Sequence, residues 1–130
     1  PFVNSEELIE KLDDLNSKGV SYQAVKFTPK AIPRMSSHPK LKGKECSGIE
    51  LTVTNRKDFT PVTFGVTLLY AVHELYPEEM TFRGNWLDKL FGEKYLRQML
   101  KDGDDISKIL SKWESETKQF EEKRKNYLLY

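Results

Sequence analysis

The stretch from Val62 to Tyr76 constrains the fold more than any other part of the chain. Phe64, Val66, Leu68, Leu69, Ala71, Val72 and Leu75 leave it apolar on nearly every face. A helix of that kind cannot lie on a surface, so the remaining elements must wrap it. Its limits are written locally. Thr60-Pro61 offers a hydroxyl cap and a proline in the first turn, and Pro77 stops it. A chain of 130 residues is one domain by length and can bury roughly two thirds of its unfolded surface without metals or disulfides.

The elements that wrap the helix follow from periodicity. Asn4-Ser5-Glu6-Glu7 reads as a capping box, with Asn4 as cap and Glu7 reaching back. Leu8, Ile9, Leu12 and Leu15 then share a face, and Gly19 is the expected left-handed stop, which places helix one over residues 5–18. Residues 20–28 alternate as a strand, with Val20, Tyr22 and Ala24 on one side and Val25 and Phe27 on the other. A loop of about a dozen residues follows from Lys30 to Gly43, longer than most connections. Residues 45–54 form a second strand, with Ile49, Leu51 and Val53 on one face. Met80-Thr81-Phe82 reads as a short strand. Two short helices follow, Trp86 to Phe91 closed by Gly92 and Glu93 to Lys101 closed by Gly103. The second turns Tyr95, Leu96, Met99 and Leu100 inward. Asp104-Asp105 caps a final helix striped by Ile106, Ile109, Leu110, Trp113, Thr117 and Phe120, with Glu114–Lys118 and Glu121–Lys125 as supporting pairs. The closing Tyr127-Leu128-Leu129-Tyr130 is too apolar for a fraying end. They pack either on this domain or on a neighbouring one, and Leu128 and Leu129 are expected to be buried, at ~1.5–3 kcal/mol each.

Composition excludes several classes of function. With 21 basic and 20 acidic residues the net charge is +1, which gives the chain as a whole no strong field for nucleic acid or anionic lipid. Cys46 is the single cysteine, so neither an internal disulfide nor a multi-cysteine zinc site can form. No apolar run approaches the ~20 residues that span a bilayer. Pro1-Phe2-Val3-Asn4 has no signal-peptide character, and the absence of an initiator Met reads as a piece of a longer protein.

Few residues offer chemistry of their own. His38 and His73 lie far apart with no clustered acid or thiol, a poor metal site; no metal or cofactor is expected. A nucleophilic Cys46 would need a base, and no histidine is near in sequence, so a buried packing thiol is favoured. Gly43 and Gly48 bracket Cys46 and permit close approach, but they are no phosphate loop. Glycoside hydrolysis needs two carboxylates facing one sugar bond. Glu45, Asp58 and Asp88 lie at element ends, and no spacing pairs them. Tyr22, Phe27, Phe82, Trp86 and Tyr95 are mostly core aromatics, with Trp86 the best candidate for exposure.

The ordered motifs carry a resemblance. Pro1-Phe2-Val3 before helix one, Phe27-Thr28-Pro29, Gly43-Lys44-Glu45-Cys46-Ser47-Gly48-Ile49, Leu51-Thr52-Val53-Thr54-Asn55-Arg56, Leu75-Tyr76-Pro77, Asp88-Lys89-Leu90-Phe91-Gly92 and Phe120-x-x-x-Arg124-x-x-Tyr127-Leu128-Leu129-Tyr130 recur in order along essentially the whole chain. Together they resemble the C-terminal domain of the NamZ-type exo-β-N-acetylmuramidases, bacterial peptidoglycan hydrolases. The resemblance implies an enzyme that removes terminal N-acetylmuramic acid from cell-wall sugar chains and feeds wall recycling. It also implies a larger N-terminal α/β domain that supplies the catalytic glutamate, with the sugar cleft between the halves and a periplasmic or extracellular setting. No position here matches that glutamate, so no catalytic residue is assigned. Two departures stand out: the loop from Lys30 to Leu41 is longer and more basic than the family pattern, and Asn55 stands where an acid is expected.

These readings converge on an α+β fold, two-layer, with a small, mostly antiparallel sheet packed against several helices. The chain is expected to be a single accessory domain over residues 1–130. Lys42, Gly43, Glu45, Cys46 and Gly48 are the candidate cleft residues, with Asp88 beside them. The expected partners are the N-terminal α/β domain of the same chain and the muramic acid end of peptidoglycan, with no nucleic acid and no membrane span. Two rivals are a non-catalytic module that binds wall sugar or a protein, and a separate enzyme built on Cys46.

Overall fold

The computed structural model describes residues 2–83 and 85–128. Among them are five helices and a two-stranded antiparallel sheet: α1 (Ser5–Asp14), β1 (Val20–Phe27), β2 (Cys46–Val53), α2 (Pro61–Leu75), α3 (Trp86–Phe91), α4 (Tyr95–Lys101) and α5 (Ile106–Lys125). The fold is a small α+β architecture. Its contacts gather into two compact units, Pro1–Met80 and Thr81–Tyr130.

In the first unit, α1 lies against both strands and against α2. Leu8 and Leu12 from α1 meet Ala71 from α2, and Tyr22, Ile49, Leu68, Val72 and Leu75 pack around them. The strand register pairs Val20 with Val53, Tyr22 with Leu51 and Ala24 with Ile49, so the two apolar faces read from the sequence fall on one side of the sheet. Tyr22 also stacks on Phe64 of α2 at 6.1 Å between ring centroids. Apart from Val62 and Glu74, the side chains of α2 from Thr63 to Leu75 are buried or half-buried, as a helix apolar on most faces requires.

Two local devices differ from their sequence reading. Asn4 caps α1 by accepting from the Glu6 and Glu7 backbone N–H groups, but Glu7 does not reach back to the Asn4 N–H. The Tyr76 hydroxyl accepts that N–H at 2.8 Å and lies 3.3 Å from Glu7 Oε2. A hydroxyl from the far end of α2 thus completes the cap of α1. The helix also ends earlier than expected, with Leu15 as its C-cap and Asn16 in the left-handed region at φ 51°. Gly19 serves a different need. Its carbonyl accepts from Thr54 and Asn55, and a Cβ there would sit 2.5 Å from the Asn55 carbonyl oxygen and 2.7 Å from the Phe59 nitrogen.

The second unit is built on Leu96, Met99 and Leu100 of α4 and Ile109 of α5, all buried. Gly92 ends α3 at φ 89°, its N–H reaching the Asp88 carbonyl at 2.8 Å. Asp105 caps α5 by accepting from Ser107 N. Met80-Thr81-Phe82 is not a strand; it is irregular backbone outside the sheet, whose ladder is filled by β1 and β2 alone. Lys125 pairs with Glu122 one turn away instead of with Glu121, whereas Glu114 and Lys118 do pair at 2.8 Å.

The tail is the largest correction. Leu128 is 51% exposed and Tyr127 75% exposed; Leu129 and Tyr130 lie outside the described residues. Geometry explains the exposure. A 20-residue helix runs about 30 Å, whereas the six and seven residues of α3 and α4 span only about 10 Å each. Ile109 is buried and Trp113 half-buried, but Phe120 is already 62% exposed before the tail begins.

Candidate functional site

The cleft residues expected from the sequence fall in both units: Lys42, Gly43, Glu45, Cys46 and Gly48 in the first, Asp88 in the second. The segment before β2 turns on Gly43 at φ 75°, and its N–H bonds the Pro29 carbonyl at 3.0 Å. No atom lies within 4 Å of a Cβ built on Gly43, so that position is open to solvent. Gly48 differs: its Cβ would meet the Phe27 ring at 3.2 Å, and its carbonyl accepts from the Ser5 hydroxyl at 2.8 Å. The close approach that Gly48 allows is made by the chain itself. Lys42 and Glu45 are exposed, with Glu45 lying 3.8 Å from Lys26.

Cys46 is 4% exposed, and its thiol donates weakly to the Lys44 carbonyl at 3.5 Å. This is the environment of a packing thiol, because a nucleophile needs an adjacent base and a route to substrate. Asn55 also has a structural role. Its carboxamide accepts from the Lys57 N–H at 3.0 Å and donates to Asp58. A carboxylate at this position could not make that donation, which accounts for the departure from an acid.

Asp88 is the most constrained acid among the described residues. It is 7% exposed, and both its oxygens accept from Arg97, at 2.8 Å from Nε and 2.7 Å from Nη2. The fork joins α3 to α4 and is the bidentate geometry that guanidinium and carboxylate favour. The Arg97 hydrogen bonds outweigh the cost of burial and hold the Asp88 carboxyl below the ordinary aspartate range. An acid that must protonate a leaving group needs the opposite shift. Asp88 therefore stays ionised near neutrality. Arg97 was not singled out in the sequence, because a spacing of nine across a turn matches no helical or strand period.

Asp88 and Arg97 line an open depression of about 1050 Å³ within the second unit, together with Lys89, Lys94, Tyr95 and Lys112. Lys112 Nζ sits 4.6 Å from the Tyr95 ring centroid and 2.8 Å from Glu116. Phe91 meets the Tyr95 ring edge-on at 5.4 Å and the Trp113 ring at 6.4 Å. Burial, then the hydrogen bond and charge of Glu116, push the Tyr95 hydroxyl up to about 12. Among the described residues, no three metal-ligating side chains gather, and no helix is long and apolar enough to cross a membrane.

Five helices and a two-stranded antiparallel sheet among the described residues define the class as a small α+β fold. Its family is definite: the model for the C-terminal part of the exo-β-N-acetylmuramidase NamZ matches residues 1–130, and the chain belongs to that family. The peptidoglycan β-N-acetylmuramidase NamZ of Bacillus subtilis strain 168 is 36% identical over 131 residues. That alignment takes in all of this chain but only 30% of the relative's length. A DUF1343 family protein from Bacteroides fragilis NCTC 9343 has the same fold at a TM-score of 0.77 and 17% identity, over 99% of this chain and 33% of its own.

Proposed function

We propose that this domain completes the sugar cleft of a peptidoglycan-recycling exo-β-N-acetylmuramidase and stabilises the domain that carries the reacting acid. In this reading the chain is a single accessory domain of a two-domain protein, preceded by an α/β catalytic domain. The enzyme acts outside the cytoplasm on terminal N-acetylmuramic acid. The observation that carries the reading is the full-length kinship to a relative named for that activity, of which this region is only 30%. The state of Asp88 supports it, since a carboxylate held ionised by arginine suits binding or bracing better than proton donation. Lys42, Gly43 and Glu45 are the exposed cleft candidates, and buried Cys46 and half-buried Gly48 brace the segment that presents them.

The test compares three proteins on a chromogenic muramide: the parent, the parent lacking this domain, and the 130-residue chain alone. The expected result is turnover by the parent, a large loss on deletion and no N-acetylmuramic acid released by the chain alone. Full turnover of the soluble substrate after deletion, with wall attachment lost, would make the domain a binding module instead. Release by the chain alone would place the chemistry here.

A further inference from the structure

The near-zero net charge hides an uneven distribution. Residues 28–44 hold Lys30, Arg34, Lys40, Lys42 and Lys44 and no acidic residue. None of these five cations has an ion-pair partner among the described residues. The segment is folded. The Gly43 N–H closes on the Pro29 carbonyl at 3.0 Å, Ile32 and Ser36 form a bridge, and Lys42 and Lys44 N–H groups bond the Pro39 and Leu41 carbonyls. A surface loop of this length with its ends tied together is a compact Ω-type loop. Apolar side chains stand among the cations: Met35 is 82% exposed, Ile32 50% and Leu41 37%.

We propose that this loop is a docking surface for an anionic lipid bilayer. Five unpaired cations with no intervening acid complement a negatively charged surface, and such residues bind it additively. The three exposed apolar side chains decide between anionic partners. A soluble polyanion gains little from Met35, Ile32 and Leu41, whereas a bilayer interface gains their burial as well as the charge. Proline at 29, 33 and 39 and the internal hydrogen bonds hold the loop folded before it binds, which lowers the ordering cost. This contact is peripheral. It shares Lys42 with the candidate cleft segment but concerns where the domain sits, not what it cleaves.

The test is sedimentation of the full protein carrying this domain with vesicles of phosphatidylcholine alone or with 30 mol% phosphatidylglycerol. Binding is expected only to the anionic vesicles, and it should weaken steeply between ~0.05 and ~0.5 M salt as the charges are screened. Neutralising Lys30, Lys40 and Lys44 together to Gln, which leaves the cleft candidate Lys42 in place, should weaken it by about a hundredfold, from roughly fivefold per cation. Met35→Ser should weaken vesicle binding and leave binding to soluble polyphosphate unchanged. These positions are exposed, and an unchanged circular dichroism spectrum and melting temperature confirm that the variants remain folded. Equal binding to neutral vesicles, no binding to anionic ones, or vesicle binding indifferent to Met35→Ser while polyphosphate competes fully would each overturn the proposal. Muramide turnover, measured on the same samples, reports separately on the muramidase reading.

Discussion

The two units solve the same problem with different chemistry. The first, Pro1–Met80, centres on an uncharged cluster of Leu8, Leu12 and Ala71, fastened by hydroxyls: Tyr76 on Asn4 and Ser5 on the Gly48 carbonyl. The second, Thr81–Tyr130, sets four buried apolar side chains beside ionic fasteners, Asp88 with Arg97 and Lys112 with Glu116. The difference lies in what each unit responds to. The second unit carries a carboxylate held low by arginine and a phenol raised to about 12, which together define a window. The second unit should therefore respond to acid through Asp88 as well as to volume, while in alkali Tyr22 of the first unit, raised chiefly by burial, should respond as Tyr95 does.

The largest effects test the shared apolar footing. Leu12 and Leu100 are 0% and 2% exposed, so Leu12→Ala and Leu100→Ala should each cost about 2–5 kcal/mol. Amide exchange read residue by residue should show Leu12→Ala opening residues 2–80 first and Leu100→Ala opening 81–128 first. Equal opening of both by either variant would merge the two units into one cooperative body.

The next effect sharpens the ionic half of the contrast. Arg97 lowers the folded pKa of Asp88, so its stabilisation is in place above the ordinary aspartate value of about 3.9 and is lost as the pH falls through the lower folded value. Tyr95 runs the other way. Its folded value is raised to about 12, so its contribution is in place below about 10 and is lost as the pH climbs through the folded value. Melting curves from pH 2 to 12 should show both limbs in the second unit. Asp88→Asn should lower the melting temperature at pH 7 and flatten the acid limb, and Tyr95→Phe should flatten the alkaline one. Two unchanged limbs would remove the distinction between the units.

The smallest effect concerns the hydroxyl clasp. Tyr76→Phe keeps the ring against Phe2, 5.4 Å between centroids, and removes the acceptor for the Asn4 N–H. A loss of about 1 kcal/mol is expected, the usual net value of one such bond, with no change in pH dependence between 5 and 8. A loss above about 3 kcal/mol would show that the clasp, not the apolar cluster, dominates the first unit.

Much of this was legible in the residues because short-range rules decided it. Asn4 as a cap, Pro61 at a helix start, Gly92 at a helix end and the alternation that sets Tyr22 beside Val20 and Ala24 on one strand face are all set by neighbours one to four positions away. Most of the misses share one cause: tertiary contacts that local pattern cannot carry. Gly19 looked like a helix stop because its real constraint, the Asn55 backbone, lies thirty-six positions away. Glu7 looked like the partner of its own cap because Tyr76 was out of local sight. Leu128 looked docked because its apolar character does not reveal that the end of α5 is already exposed at Phe120. Asp88 was found as a residue at an element end, but its ionised state was not, since that depends on Arg97. Lys112 and Glu116 follow the same one-turn rule that identified Glu114 and Lys118, and that spacing was the signal available for them.

The clasp between Tyr76 and Asn4 has a consequence for biosynthesis. The two residues are 72 positions apart, and α1 has only ten residues, too few to hold a helix alone in water. At about 5–20 residues per second, the ribosome needs roughly 4–14 s to extend the nascent chain from one to the other. Until then the opening segment lacks the lid of its first turn and has no α2 to rest on. The first unit is therefore expected to close all at once, after its last helix emerges from the exit tunnel, and a stalled nascent chain truncated before residue 76 should remain protease-sensitive within this unit, from residue 2 onward.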